Sequence, residues 1–480
     1  MGDQGRSGPP ERQVGFADQS ARQPGSLLSR HRDPGAGEAL NAGSRVPCLR
    51  DGLPCPSKAS SEACNAFPQA PVRGLRTCFA VLSLAALLSC TPSRHVPSLT
   101  IAINSGVEGD ALKSAAREWA ALRAVPVELV ELPYTSLFEK LLLDLTSRTG
   151  AYDVVMIDDP WFPRLAGNGN LLPLDQTPDP DFLESCLDVC REPYRTGPYY
   201  ALPYVGNSQL YFYRGDLFKK HLLPAPRTWQ DVLDAARKIG SAEGMFGYVM
   251  RAAPGNAAVT DFMALFWAFG AEMFSPDSAP TVASAEGAEA LRFMLELGKY
   301  TPPGYAGFNA DEVAAHLLQS SGVMSINWPS WISAMDDPAK SKIVGKIEFT
   351  AMPSAKRPGV ASLGAWLLAI PRASRHAELA REFIVWATDA KQMRAAALLG
   401  NPPTRRSVFL DEDLRKRYRA FPAQLASLET ARPRPRTALW NEIENAFGVY
   451  LSQANAGKLG AAQAMEKANR EISAILERAK

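Results

Sequence analysis

The chain has 480 residues, 46% of them apolar and 21% charged. That length exceeds one ordinary domain, and the composition excludes a chain disordered throughout. The net charge of +2 is uneven: ten Lys/Arg face seven Asp/Glu up to residue 90, leaving the remainder near −1, so the body lacks the cationic excess that nucleic-acid binding needs.

Residues 1–71 are rich in Gly, Pro, Ser and Arg and carry no apolar periodicity. They are expected to be disordered, or to lie upstream of a true translation start near Val72. From Val72 the character changes. Arg73 and Arg76 precede the apolar run from Cys78 to Leu88, closed by Ser89-Cys90, which is a signal-peptide layout over 72–89 and too short for a comfortable membrane span. Leu87-Leu88-Ser89-Cys90 resembles the lipobox of bacterial lipoproteins. The resemblance implies acylation of Cys90, which becomes the first mature residue, with the product lipid-anchored and extracytoplasmic, at the periplasmic face in a two-membrane bacterium. Residues 91–98 read as a tether.

Beyond the tether, Leu99 to Ile103 reads as a buried strand and Asp110 to Leu122 as an amphipathic helix. Val127 to Leu132 and Leu137 to Thr146 repeat the pair, and Asp153 to Ile157 is a third strand stopped by Asp158-Asp159-Pro160. Strands alternating with helices predict parallel pairing in an α/β sheet covered on both faces. Helices follow at Thr228 to Ile239 and Ala285 to Leu297. Short strands are expected at Val323 to Ile326, Ile347 to Phe349 and Ala365 to Ile370, and helices at Ala377 to Thr388, Trp440 to Leu451 and Gly460 to Ala479. Arg432, Arg434 and Arg436 alternate with Pro433 and Pro435, which reads as an extended, solvated connector.

Five of the seven cysteines fall at or before position 90; Cys186 and Cys190 remain. Their spacing matches no common zinc pattern. A disulfide between them and two free thiols are both open. The histidines occur singly and no phosphate loop appears, so no metal and no cofactor is expected.

Tyr152 to Ile157 is followed by Asp158-Asp159-Pro160-Trp161 and Leu171-Leu172-Pro173-Leu174-Asp175. Tyr200-Ala201-Leu202-Pro203-Tyr204, Leu210 to Arg214, Gly322 to Pro329 and Gly364 to Pro371 continue the series. In this order the segments resemble the extracellular solute-binding proteins of sugar-type ABC importers, the family that includes the maltodextrin-binding protein. The resemblance spans nearly all of residues 98–475. It implies an α/β, periplasmic-binding-protein-like clamp of two discontinuous lobes, 99–205 plus 351–405 and 206–350 plus 406–480, with hinge crossings near 204–209, 348–352 and 404–410. It also implies a monomer that captures a carbohydrate, a mono- or disaccharide, and hands it to ABC permease subunits in the membrane.

The chemistry of such a cleft is independent of the family. A sugar presents hydroxyls at its rim and C–H groups on its face, so it needs carboxylates or amides around an aromatic plate. Asn104, Asp158, Asp159 and Asn207 are candidate rim groups; Trp161, Tyr204, Trp328, Trp331 and Trp366 are candidate aromatics. Thr260 and Asp261, expected to begin a helix, stand where the family contributes second-lobe contacts. The family's glutamate near the first crossing is replaced by Asn207. Arg251 and Arg405 keep open an anionic glycerol or sugar phosphate, Arg405 reading rather as a surface charge. An extracellular glycoside-acting enzyme is the rival class, although Asp158 and Asp159 are chain neighbours rather than groups set across a cleft.

Overall fold

A computed structural model describes residues 97–175 and 177–479. The signal segment, the lipobox with Cys90, residues 1–71 and most of the tether lie outside the described residues. Strands β1 (Leu99–Asn104), β2 (Val127–Leu132) and β3 (Val154–Asp158) alternate with helices α1 (Val107–Arg123) and α2 (Tyr134–Ser147). Then come β4 (Ala201–Val205), β5 (Leu210–Arg214), α3 (Trp229–Glu243), α4 (Asn256–Ala268), α5 (Ala285–Gly298), α6 (Ala310–Leu318), β6 (Met324–Asn327) and β7 (Ile347–Thr350). The chain ends with β8 (Trp366–Ala369), α7 (Ala377–Ala387), α8 (Ala390–Leu398), α9 (Phe421–Thr430), α10 (Trp440–Asn455) and α11 (Ala461–Arg478).

Two sheets organise these elements. The first has the order β2-β1-β3-β8-β4. Its β1 pairs parallel with β2 and β3, as the alternation predicted, whereas β8 runs antiparallel between β3 and β4. Every residue of β3 and β8 is buried, which follows from helices covering both faces. The second sheet, β6-β5-β7, is antiparallel throughout. Parallel pairing therefore holds only in the first sheet, because β8 and β5 enter their sheets from crossings rather than from strand–helix–strand units.

The first sheet lies in one hydrophobic core, and the second sheet has a larger core on one face and a small cluster on the other. In the first core, Trp119 of α1 meets Phe383 of α7 edge to face at 5.5 Å. The second core is built on α4, buried along nearly its whole length, with α10 and α5 packed on it and α11 on both of those. Helix α3 begins as predicted: the Thr228 hydroxyl accepts from Asp231 N while the Asp231 carboxylate accepts from Thr228 N, a reciprocal cap.

The chain passes from the first sheet to the second at 206–209 and returns between β7 and β8. The last crossing differs from expectation. Val408, Phe409, Leu414, Phe421 and Leu428 pack in the first core, Ala420 touches a cluster on the second sheet, and the part from α10 onward joins the second core. The crossing lies at 431–439 rather than 404–410, in the arginine–proline segment. Arg405 is not a surface charge either. It is 5% exposed, with Nη1 2.8 Å from Asp179 Oδ2 and 3.4 Å from Asp181 Oδ2, its guanidinium lying over Phe182.

Cys186 and Cys190 are both buried and free. The Cys190 thiol donates to the Cys186 carbonyl at 3.3 Å, so the spacing of one helical turn is satisfied by a backbone hydrogen bond and not by a disulfide.

Candidate functional site: the cleft between the sheets

The carboxyl ends of β1 and β3 and the amino end of β8 open onto one cavity of about 610 Å³. Antiparallel pairing sets Trp366 directly opposite Asp158, which is why strand-end residues far apart in sequence converge. The first lobe contributes Asn104, Glu108, Tyr134, Asp158, Trp161 and Trp366. The facing wall comes from Arg251, Asn256, Asn309, Asp311, Trp328 and Trp331, and from Asn441, Glu444 and Asn445 on α10. Asn207, Gly364 and Arg434 enter from the three crossings. Across the cleft, the Ser330 hydroxyl donates to Glu108 Oε1 at 3.3 Å, and Arg164 Nη1 lies 3.6 Å from Glu442 Oε1.

Of the residues proposed from sequence, Asn104, Asp158, Trp161, Asn207, Trp328, Trp331 and Trp366 line this cavity. Four do not. Asp159 is fully buried beneath the wall, accepting from Arg434 Nη2 and Arg436 Nη1, each at 3.2 Å. Tyr204 is buried in β4 within the first core. Thr260 and Asp261 lie a turn inside α4, which starts at Asn256 after Gly255, so neither begins the helix. Asp261 supports the wall from behind: Gln209 Nε2 donates to it at 2.6 Å and Arg251 Nη1 lies 3.7 Å away.

The aromatics divide into two kinds. Trp161 and Trp366 are 1% and 5% exposed. They pack edge to face at 5.7 Å, with Tyr134 4.8 Å from the Trp161 ring and 5.9 Å from the Trp366 ring. This is a floor whose rings brace one another. Trp328 and Trp331 are only half-buried, and they are the rings with free area to offer a ligand. Arg251 holds its guanidinium 6.0 Å from the Trp328 ring.

Several polar atoms of the cavity have no protein partner. Asn104 Oδ1, Asn207 Oδ1, Asn441 Oδ1, Arg251 Nε and Nη1, and Arg434 Nε are buried without a hydrogen-bond partner among the described residues. Such atoms are costly unless something satisfies them. Asp158 accepts from the Tyr134 hydroxyl at 2.8 Å. Burial pushes its carboxyl up to about 7, against the pull of Arg434. Burial likewise raises Asp261 to about 7 and Glu444 above the usual range, in both cases opposed by an arginine.

Sequence reading missed Arg434, Glu108, Tyr134 and the α10 face. Arg434 was expected in solvent and is 2% exposed. Asn441, Glu444, Asn445 and Gly448 recur at helical spacing, a stripe that ordinarily faces water. Here Gly448 lets α10 close on α4, since a Cβ there would meet Gly255 N at 2.4 Å.

The family model described as bacterial extracellular solute-binding protein matches residues 104–394. A mannitol-binding protein of Pseudomonas aeruginosa is 26% identical over 443 residues, covering 84% of this chain and 98% of that one. A probable amino-acid ABC transporter periplasmic-binding protein of Sinorhizobium fredii is 28% identical over 338 residues, 68% of this chain and 77% of its own. Among solved structures, the maltose-bound MalE3 of T. maritima superposes with a TM-score of 0.73 at 26% identity, covering 78% of this chain and 99% of that one. A solute-binding protein of Agrobacterium vitis with bound D-mannitol gives 0.71 at 26% identity, covering 80% and 99%.

Proposed function

This chain belongs to the bacterial extracellular solute-binding proteins, and from that premise we propose that it captures a carbohydrate or polyol in the cleft and delivers it to the permease of an ABC importer. The observation that carries the reading is the pairing, in one cavity of about 610 Å³, of half-buried Trp328 and Trp331 with unsatisfied amide and guanidinium atoms. A sugar or sugar alcohol meets both demands, hydroxyls for the polar atoms and a C–H face for the rings. The volume accommodates a mono- or disaccharide. The names of similar proteins, for mannitol and for maltose, lie within the same ligand class.

The chain acts by binding and not by catalysis. Asp158 and Asp159 stand on the same wall, one lining the cavity and one beneath it, which is not the opposed pair that glycoside hydrolysis uses. Location outside the cytoplasm accords with the family. Anchoring through Cys90 and a monomeric state complete the proposal. Mass spectrometry of the native N-terminus should find an acylated Cys90, and peptides from residues 1–71 in the mature protein would defeat that part of it.

The functional test is a thermal-shift screen of the protein against monosaccharides, disaccharides, polyols and glycerophosphates. A ligand well above its Kd raises the midpoint because it binds the folded form. Stabilisation by sugars or polyols is expected. A response confined to the phosphates, or measurable glycoside cleavage, would replace the reading.

A further inference from the structure

The charges around the cleft do not balance. Arg434 and Arg436 are taken up by Asp158 and Asp159, and Arg251 stands 3.7 Å from Asp261. Glu108, Asp311 and Glu444 also line the cavity, and among the described residues none of them has a cationic side chain within ion-pair distance. Glu444 is partly served by Asn256 Nδ2 at 3.1 Å. Glu108 and Asp311 face the same space from opposite lobes. Each sits in the first turn of a helix, α1 and α6 respectively, and a helix end supplies about half a charge, less than the full charge of a carboxylate. Independently, Asn207 is 2% exposed and its Oδ1 is an unpartnered acceptor in the same cavity. Glu108, Asp311 and the Asn207 Oδ1 are thus three acceptors bordering one cavity, beside the unpartnered guanidinium nitrogens of Arg251 and Arg434.

We infer that the cleft holds a subsite for a protonated amine of the solute, placed between Glu108 and Asp311, and that the ligand is an amino sugar. The inference rests on the carbohydrate reading above and narrows it. An ammonium offers three donors and a full charge, which answers two carboxylates where a hydroxyl offers one donor. Burial and the nearby Asp311 raise the Glu108 carboxyl in the ligand-free protein, the direction expected of an acid whose cation has yet to arrive. Trp328 and Trp331 remain available for the sugar face.

The test is isothermal titration calorimetry of the full chain, at a pH where the amines are protonated. Glucosamine, galactosamine, mannosamine and the β-1,4-linked glucosamine dimer are each compared with the hydroxyl isostere: glucose, galactose, mannose and cellobiose. At least one amine should bind about tenfold or more tightly than its isostere. In Asp311→Asn, an exposed position at which folding is not at stake, that ratio should collapse; Glu108→Gln should reduce it as well. Isosteres that bind as well as the amines throughout would overturn the amine subsite and leave the carbohydrate reading standing. A ratio unchanged in D311N would overturn the placement. Binding by neither series would overturn the amine subsite, and the thermal-shift screen then decides the carbohydrate reading separately.

Discussion

Arg434, from the last crossing, sets its Nη2 3.6 Å from Asp158 Oδ1 at the end of β3. The same nitrogen lies 3.2 Å from Asp159 Oδ2 and donates to the Leu363 carbonyl at 3.3 Å. One guanidinium therefore ties together the third strand, the second crossing and the third. It does so where two adjacent carboxylates would otherwise be buried side by side. Removing it should be far more damaging than removing a surface charge. Arg434→Met is expected to cost about 3 kcal/mol of stability, the lower end for a broken buried pair because Arg436 still serves Asp159. Urea unfolding of the ligand-free protein reads this directly, and an unchanged midpoint would mean that the network carries no net stability.

The Asp158 carboxyl makes a prediction about pH. Its native pKa of about 7 stands above the unfolded value near 4. Between those limits the folded protein binds the proton and the unfolded chain does not. Stability should therefore fall as pH rises from about 4 to about 7 and level off above. Asp261, raised to about 7 by burial, adds to the same slope. Ligand binding should show the opposite trend: a hydroxyl that donates to Asp158 favours the carboxylate, so affinity weakens as pH drops below about 7. Paired melting and calorimetric series from pH 5 to 8 would expose either sign as wrong.

Much of this was legible in the sequence, and the losses have specific physical causes. Apolar-rich segments located β1, β2 and β3, and α3 was located by its buried face and capped start. Helix α4 gave no such signal, being buried almost all round, so Thr260 and Asp261 were placed at its start instead of inside it. Strand ends led to Asn104, Asp158, Trp328 and Trp366, all of which line the cavity. What chain order could not convey was which polar face turns inward. The α10 stripe and Arg434 are ordinary surface patterns until the second lobe covers them. Pro433 and Pro435 made the crossing look extended, which it is, and solvated, which it is not.

The two body cysteines offer a simple check. Both thiols are fully buried, and burial pushes the Cys186 thiol up to about 12. They should resist thiol reagents in the native protein and react only on unfolding. Dithiothreitol should leave the melting temperature unchanged. A drop of several degrees under reduction would indicate a disulfide between Cys186 and Cys190 after all.

Trp366 and Trp328 should separate stability from affinity. Trp366 is 5% exposed and braced by Trp161 and Tyr134, so Trp366→Ala is expected to cost about 3–5 kcal/mol of folding free energy. Its effect on binding then follows from a damaged floor. Trp328 is half-buried, and Trp328→Ala should instead cost mainly affinity, about tenfold or more, with little change in melting temperature. If Trp328→Ala melts early and Trp366→Ala does not, the division between floor and plate is reversed.

Gly364 gives the sharpest test of the plate, because it alters the ring's position without removing any cleft atom. A Cβ at this residue would lie 2.7 Å from two ring carbons of Trp328, closer than any relaxed contact. Gly364 is also held in place, since its N–H donates to the Asn207 carbonyl at 2.8 Å, so the backbone cannot easily retreat and the indole must move. Gly364→Ala should therefore shift Trp328 away from its seat by enough to disturb a stacked sugar. The expected outcome is an affinity loss of about tenfold in a protein that still folds cooperatively, accompanied by a change in tryptophan fluorescence. Full affinity with an unaltered emission spectrum would show that the ring has room to yield and that ligand recognition does not depend on where Trp328 stands.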